Sequence, residues 1–318
     1  MSETTFEVRV ASVTAEARDI VSLELVALAR ELPPFTAGAH IDLHLRDGVV
    51  RQYSLLNAQD ERHRYVIAVQ REREGRGGSA YVHDALREGS IVRISAPRNH
   101  FALIEDAPHT VLIGGGIGIT PLVSMAARLA ALGRSWELHY CARTREHAAA
   151  RDKLAPFGDR VRFNFDQEPG GSMLDLAALV AKSPAGSHFY CCGPLPMLAA
   201  FEQATASCAP ELVHVEYFSP KATDANDAPR GGFDVVLARS GATLHVGEGK
   251  TILDTLIDAG FDVSYSCTEG VCGSCETPVL EGTPDHRDFV LSVAEKAASK
   301  TMMICCSGCK DERLVLDL

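Results

Sequence analysis

Cys267, Cys272 and Cys275 stand in the segment CTEGVCGSC at CxxxxCxxC spacing, and Cys305 follows after 29 intervening residues. Three thiolates from one loop and a fourth from a distant segment are the ligand pattern of a plant-type [2Fe–2S] cluster. Zinc is the rival, since four thiolates also make a tetrahedral zinc site, but structural zinc favours two short knuckles. Here Gly270 and Gly273 lie among the thiols and give the backbone freedom to wrap sulfide. The fourth ligand stays open, because Cys305, Cys306 and Cys309 crowd into ICCSGCK. Cys305 has the best spacing and closes the apolar run MMIC; on a strand, Cys306 would face the other way.

A cluster takes electrons singly while a nicotinamide gives up two as hydride, so a chain joining them needs a flavin between. Two segments suit a flavin with a phosphate. In Arg51-Gln52-Tyr53-Ser54-Leu55, strand alternation puts Arg51, Tyr53 and Leu55 on one face and Ser54 on the other. Arginine forks onto phosphate, tyrosine lies along a ring, and a hydroxyl reaches a ring nitrogen. In Glu74-Gly75-Arg76-Gly77-Gly78-Ser79, glycines open a helix whose N–H groups suit an anion. Each segment alone also fits an ordinary barrel strand or a tight turn.

Two further segments suit a dinucleotide. Gly114-Gly115-Gly116-Ile117-Gly118-Ile119-Thr120-Pro121 follows a strand and opens a helix, the context of a pyrophosphate loop, although it is not a strict GxGxxG. Pro121 fits the first helical turn, where its missing N–H costs nothing. Cys191-Cys192-Gly193-Pro194 ends a later apolar strand, where open α/β sheets place ligands. Cys192 could meet a nicotinamide edge there, or serve as a small core hydrophobe; Cys141 and Cys208 read as structural. Arg143 and Arg145 follow the strand HYCA, where a 2′-phosphate could sit.

These segments require particular elements to position them. Alternation in Phe6, Val8 and Val10 and in Ile41, Leu43 and Leu45, with turns at Gly38 and Asp47-Gly48, predicts a small antiparallel β-barrel over 1–105. From His109 a strand TVLIGGG, a helix near Thr120–Leu132, a strand WELHYC and FYCCGP before another helix predict a doubly wound α/β domain over 106–218. The aperiodic, polar stretch 219–231 reads as a linker. Strands FDVVLA and ATLHV, a helix from about Thr251 to Ala259 and the cysteine loop predict a β-grasp domain over 232–318.

Composition bounds the partners. The 318 residues are 46% hydrophobic, with no apolar run long enough for a bilayer span and no secretory leader in MSETTFEVRV, so the expectation is a cytoplasmic chain without a membrane partner. Ten cysteines then mean ligands and free thiols. A net charge of −11 argues against nucleic acid, and Gly232–Leu318 alone holds 14 Asp and Glu against 7 Lys and Arg. That acidic end suits a basic patch on a redox partner, or is simply a solvated face.

Taken together, these segments and their order make the chain similar to the flavin- and iron–sulfur-containing reductases of the phthalate dioxygenase reductase type, including the reductase of vanillate demethylase. The resemblance covers essentially the whole chain. It implies FMN as the flavin, held by Arg51, Tyr53 and Ser54, with Ser54 near the flavin N5, and by a phosphate loop at Gly77, Gly78 and Ser79. It implies NADH over Gly115, Gly116, Gly118, Thr120 and Pro121, with Cys192, Gly193 and Pro194 on the nicotinamide side and Phe218 packed close to the flavin; Arg143, by its place after HYCA, is expected among the cofactor-binding residues. The cluster ligands would be Cys267, Cys272, Cys275 and Cys305, with Cys306 and Cys309 as departures from the usual pattern. The implied activity is NADH-dependent reduction of a separate Rieske-type aromatic-ring dioxygenase or O-demethylase. Transfer from a plant-type cluster at about −400 mV to a Rieske centre at about −150 mV or above is downhill. A reductase for a soluble haem monooxygenase would share every motif. A non-enzymatic electron carrier would lack the flavin.

Overall fold

The computed structural model describes residues 5–28, 31–75, 77–221 and 232–318. The chain divides between Phe218 and Ser219 into two compact units. The expected linker falls mostly on 222–231, outside the described residues.

The first unit opens with β1 (Thr5–Ala17), β2 (Ile20–Ala27), β3 (His40–His44), β4 (Val50–Ser54), β5 (Arg64–Gln70), helix α1 (Gly78–Ala85) and β6 (Ile91–Ser95). The strands form one antiparallel sheet in the order β4-β3-β6-β1-β2-β5. Its two ends meet where Leu56 N donates to Val66 O at 3.0 Å and Val66 N donates to Asn57 Oδ1 at 2.8 Å. Alternation fills the interior: Val8, Val10, Leu23, Leu25, Ile41 and Leu43 are all fully buried. Leu45 lies one residue past the end of β3, just before the 3₁₀ turn Arg46–Gly48.

There follow β7 (Thr110–Gly115), α2 (Ile119–Ala131), β8 (Trp136–Ala142), α3 (Arg151–Leu154), β9 (Val161–Phe165), α4 (Leu176–Lys182), β10 (His188–Cys192), α5 (Leu195–Ala204) and β11 (Val213–Glu216). All five strands are parallel, in the order β11-β10-β7-β8-β9. The winding reverses between β7 and β10, which makes that crevice the topological switch point. Helix α2 packs Leu122, Val123, Met125 and Ala126 in one core with Ile20, Leu56, Val66 and Ala68 of the barrel. Glu16 of β1 ties the same junction by accepting from Lys153 Nζ at 2.9 Å and Ala150 N at 3.3 Å. Barrel and α/β sheet are therefore held at a fixed separation.

The second unit contains β12 (Phe233–Leu237), β13 (Thr243–Val246), α6 (Ile252–Asp258), β14 (Glu276–Glu281), β15 (Pro284–Asp285), α7 (Val293–Ala298), β16 (Thr301–Met303), β17 (Gly308–Cys309) and β18 (Arg313–Leu316). Five strands pair in the order β13-β12-β18-β14-β16, with β12 and β18 parallel, and α6 packs on this sheet in the β-grasp manner. Thr251 starts α6 with a capping box to Asp254. Among the described residues no helix is long and apolar enough to cross a membrane. The architecture is the one expected: antiparallel barrel, doubly wound α/β domain and β-grasp domain.

Candidate electron-transfer sites

The four expected cluster thiols are each at most 4% exposed. They pair two and two. The Cys272 thiol is hydrogen-bonded with Cys267 and that of Cys275 with Cys305, and these contacts, with burial, push both thiols far above their usual range. Among the described residues no three His, Cys, Asp or Glu side chains converge on a point that could hold one ion. Two pairs of thiols offer two ligands to each iron of a two-iron cluster. The loop turns through left-handed backbone at Thr268, Gly270 and Gly273. Cys267 Sγ accepts from Glu269 N at 3.3 Å and Cys272 Sγ from Ser274 N at 3.5 Å. Backbone donors aimed at sulfur are the donors a cluster needs, and the thiols must lose their protons to bind it.

The reading of Cys305 and Cys306 as alternate residues of a strand is corrected here. Strand β16 ends at Met303, so both cysteines sit in the turn that follows. Their neighbours separate them instead. Cys306 Sγ contacts Met303 O at 3.8 Å and lies 2.6 Å from where a Cβ on Gly270 would stand. Cys309 belongs to β17, paired with Pro284.

In the α/β domain two distant segments meet backbone to backbone. A Cβ on Gly118 would lie 2.3 Å from Cys192 O and 2.6 Å from Gly193 N, and one on Gly115 would lie 2.7 Å from Pro194 Cδ. Gly115, Gly118, Cys192, Gly193 and Pro194 thus line the switch point as one surface, and only glycine permits the approach. Gly116, with φ of +55°, faces open space. Thr120 donates from Oγ1 to Ile117 O at 3.0 Å, and Pro121 is buried in the first turn of α2. Arg143 follows β8 directly and is exposed.

Two carboxylates that sequence reasoning passed over stand at this end of the sheet. Glu216 pairs in register with Cys192, whose fully enclosed thiol hydrogen-bonds it, and burial pushes the Glu216 carboxyl up to about 8. Burial likewise pushes the Cys192 thiol well up, so it presents a neutral S–H. Glu216 Oε2, and Asp166 Oδ1 just past β9, are buried without a hydrogen-bond partner among the described residues. Orphaned acceptors at the carboxyl ends of parallel strands fit a ligand rich in hydroxyl and amide donors, as a nicotinamide dinucleotide is. The available signal was an acidic residue closing a strand.

On the barrel, Arg51 and Gly78 are brought together. A Cβ on Gly78 would meet Arg51 Cγ at 2.9 Å and Nε at 3.0 Å. Gly77, with φ of +83°, caps α1, and Ser79 Oγ accepts from Glu72 N at 3.0 Å. A guanidinium beside a glycine-led helix start fits a phosphate. Arg76 lies outside the described residues. Burial pushes the Tyr53 phenol up to about 12, with the Arg51 charge opposing, and Ser54 is buried opposite His40 of β3. Phe218, two residues beyond β11, is 42% exposed.

Residues 235–310 match the family described as 2Fe-2S iron-sulfur cluster binding domain. Phenoxybenzoate dioxygenase subunit beta of Ectopseudomonas oleovorans is 56% identical over 98% of this chain and 96% of its own length. Phthalate dioxygenase reductase, solved as a modular structure for electron transfer from pyridine nucleotides to [2Fe-2S], superposes with a TM-score of 0.71 at 40% identity, covering 99% of this chain and 98% of that one. An intact type IV self-sufficient cytochrome P450 monooxygenase superposes at 0.93 with 41% identity over 99% of this chain, which spans 41% of its length.

Proposed function

The chain belongs to the phthalate dioxygenase reductase family, and from that premise we propose that it is the NADH-dependent reductase component of a Rieske-type aromatic-ring dioxygenase or O-demethylase in the cytoplasm. The observation that carries this reading is one chain holding both a two-by-two thiol loop and a switch-point crevice fixed beside a barrel that fits a phosphate-bearing flavin. FMN, when bound, would supply the step between two-electron hydride and single electrons, which neither nicotinamide nor cluster can supply alone. The protein's own work is orientation. Gly115, Gly116 and Gly118 admit the pyrophosphate to the backbone, with Thr120 and Pro121 in the first turn of α2. Gly193 and Pro194 bound the nicotinamide side, where burial keeps the Cys192 thiol neutral beside Glu216. Arg51, Gly77, Gly78 and Ser79 would hold the FMN phosphate, Tyr53 and Phe218 would pack on its ring, and the Ser54 hydroxyl would serve its N5. Arg143 lies at the adenosine end. Cys267, Cys272, Cys275 and Cys305 hold the cluster, and the domain limits are 1–105, 106–218 and 232–318.

The match along the P450 chain favours a second reading, in which the acceptor is a haem monooxygenase. An anaerobic NADH titration followed by visible absorbance and low-temperature EPR tests the shared core of both: the flavin band bleaches and a reduced [2Fe–2S] signal grows. A flavin that bleaches without an iron–sulfur signal overturns the cluster assignment. Turnover with a Rieske oxygenase, set against turnover with a P450, separates the two acceptors.

A further inference from the structure

Directly behind the cysteine loop lies a buried carboxyl side chain that the electron path described above does not use. The Asp288 side chain is 0% exposed. Its Oδ1 accepts from Val290 N at 3.0 Å and from Leu291 N at 2.7 Å. Its Cα and Cβ lie 3.2 and 3.5 Å from where a Cβ on Gly270 would stand, and Phe289 N donates to Gly270 O at 2.9 Å. Gly270 sits between Cys267 and Cys272, with φ of +70°. The 288–291 turn therefore grips the loop at a residue that has no side chain to hold it off.

Capping that turn does not call for a charge. Asparagine or serine would accept the same backbone bonds, and burying a carboxylate is costly unless it is paired. Asp288 Oδ2 makes no hydrogen bond among the described residues. Its polar neighbours are His286 Nδ1, 3.7 Å from Oδ2, and Lys296 Nζ, which donates to the Asp288 backbone O at 2.5 Å and lies 3.8 Å from Oδ1. We infer that Asp288 is a positioning residue for the cluster loop that also sets how readily the bound cluster takes an electron, with Lys296 as its counterweight. This rests on the cluster assignment of the preceding section. Reduction adds one negative charge to the cluster, and a fixed negative charge behind the loop opposes that addition in a low-dielectric setting, whereas a positive one assists it.

The test uses the full holoprotein and reads iron content and the midpoint potential of the cluster by spectroelectrochemical titration, with EPR of the reduced form. Asp288→Asn keeps the shape and the accepting oxygen; Lys296→Gln removes the opposing charge. The expected result is intact iron content in both, a potential raised by Asp288→Asn and lowered by Lys296→Gln. Unmoved potentials, or shifts of the same sign, would reduce Asp288 to a turn cap and overturn the inference. If Asp288→Asn sheds its iron, the sign of the Lys296→Gln shift alone decides. Wild-type protein lacking iron and an EPR signal would instead sink the cluster assignment beneath it.

Discussion

Cys305 and Cys306 are adjacent, yet replacing them should have opposite consequences. Cys305→Ser removes one donor from the pair with Cys275. Iron content and visible absorbance should then fall to near background, because a three-thiolate site would leave one iron without one of its two protein ligands. Cys306→Ser alters a thiol packed on Gly270 and Met303, and the cluster should persist. Iron analysis of the two variants checks both; iron retained in Cys305→Ser would move the fourth ligand to a neighbour. Glu216 offers a different reading at the same scale. Its carboxyl is raised from 4.5 to about 8 on folding. A raised acid contributes its full stability below the unfolded value and loses it as pH climbs through the folded one. The first unit should therefore lose stability by at most about 1.4 kcal/mol per pH unit between those limits. Glu216→Gln should flatten that slope, as urea midpoints at the two ends of the window would register.

At the scale of elements, what was legible in the chain was local chemistry. The glycines of TVLIGGG, the N-terminal Pro121 and the alternation of Val8 and Val10 each act within a few residues, and α2, β7 and the barrel strands lie where those signals put them. What was not legible depended on contacts between segments far apart in sequence. Nothing in GGIGITP says that Gly118 must abut Cys192, and nothing in the RxYS strand says that Arg51 will lie on Gly78; pairing order decides both. The run MMIC misled for a related reason, since β16 stops at Met303 and hands Cys305 to a turn. The contact of the two switch-point loops yields a graded prediction. Gly118→Ala places a methyl 2.3 Å from a carbonyl oxygen that is fixed in β10, so the loops must part. NADH affinity should fall more than tenfold and the first unit should lose several kcal/mol. Gly116→Ala meets no protein atom within 4 Å, so the fold carries only the left-handed backbone cost, about 1 kcal/mol. Thermal melts compare the two variants, and equal losses of stability would mean that the contact does not hold the loops together.

At the scale of the whole molecule, separate sets of residues build separate cores. The barrel and the α/β sheet share apolar residues across their junction, so they should fold and melt together. The β-grasp unit builds its core wholly from Phe233 onward, around Leu253, Leu256, Met302 and Leu314. A chain ending at Phe218 should consequently fold by itself and retain FMN. Its NADH-driven flavin reduction should run at close to the full-length rate, because every group that orients the nicotinamide lies before that point. It should lose transfer to the oxygenase, which depends on the four thiols after it. Stopped-flow flavin bleaching and oxygenase turnover on the same truncated protein read the two halves separately. A truncated chain that cannot bind FMN would show that the first unit needs the second to form its site. Retained turnover would mean that the flavin reaches the acceptor without the iron–sulfur unit.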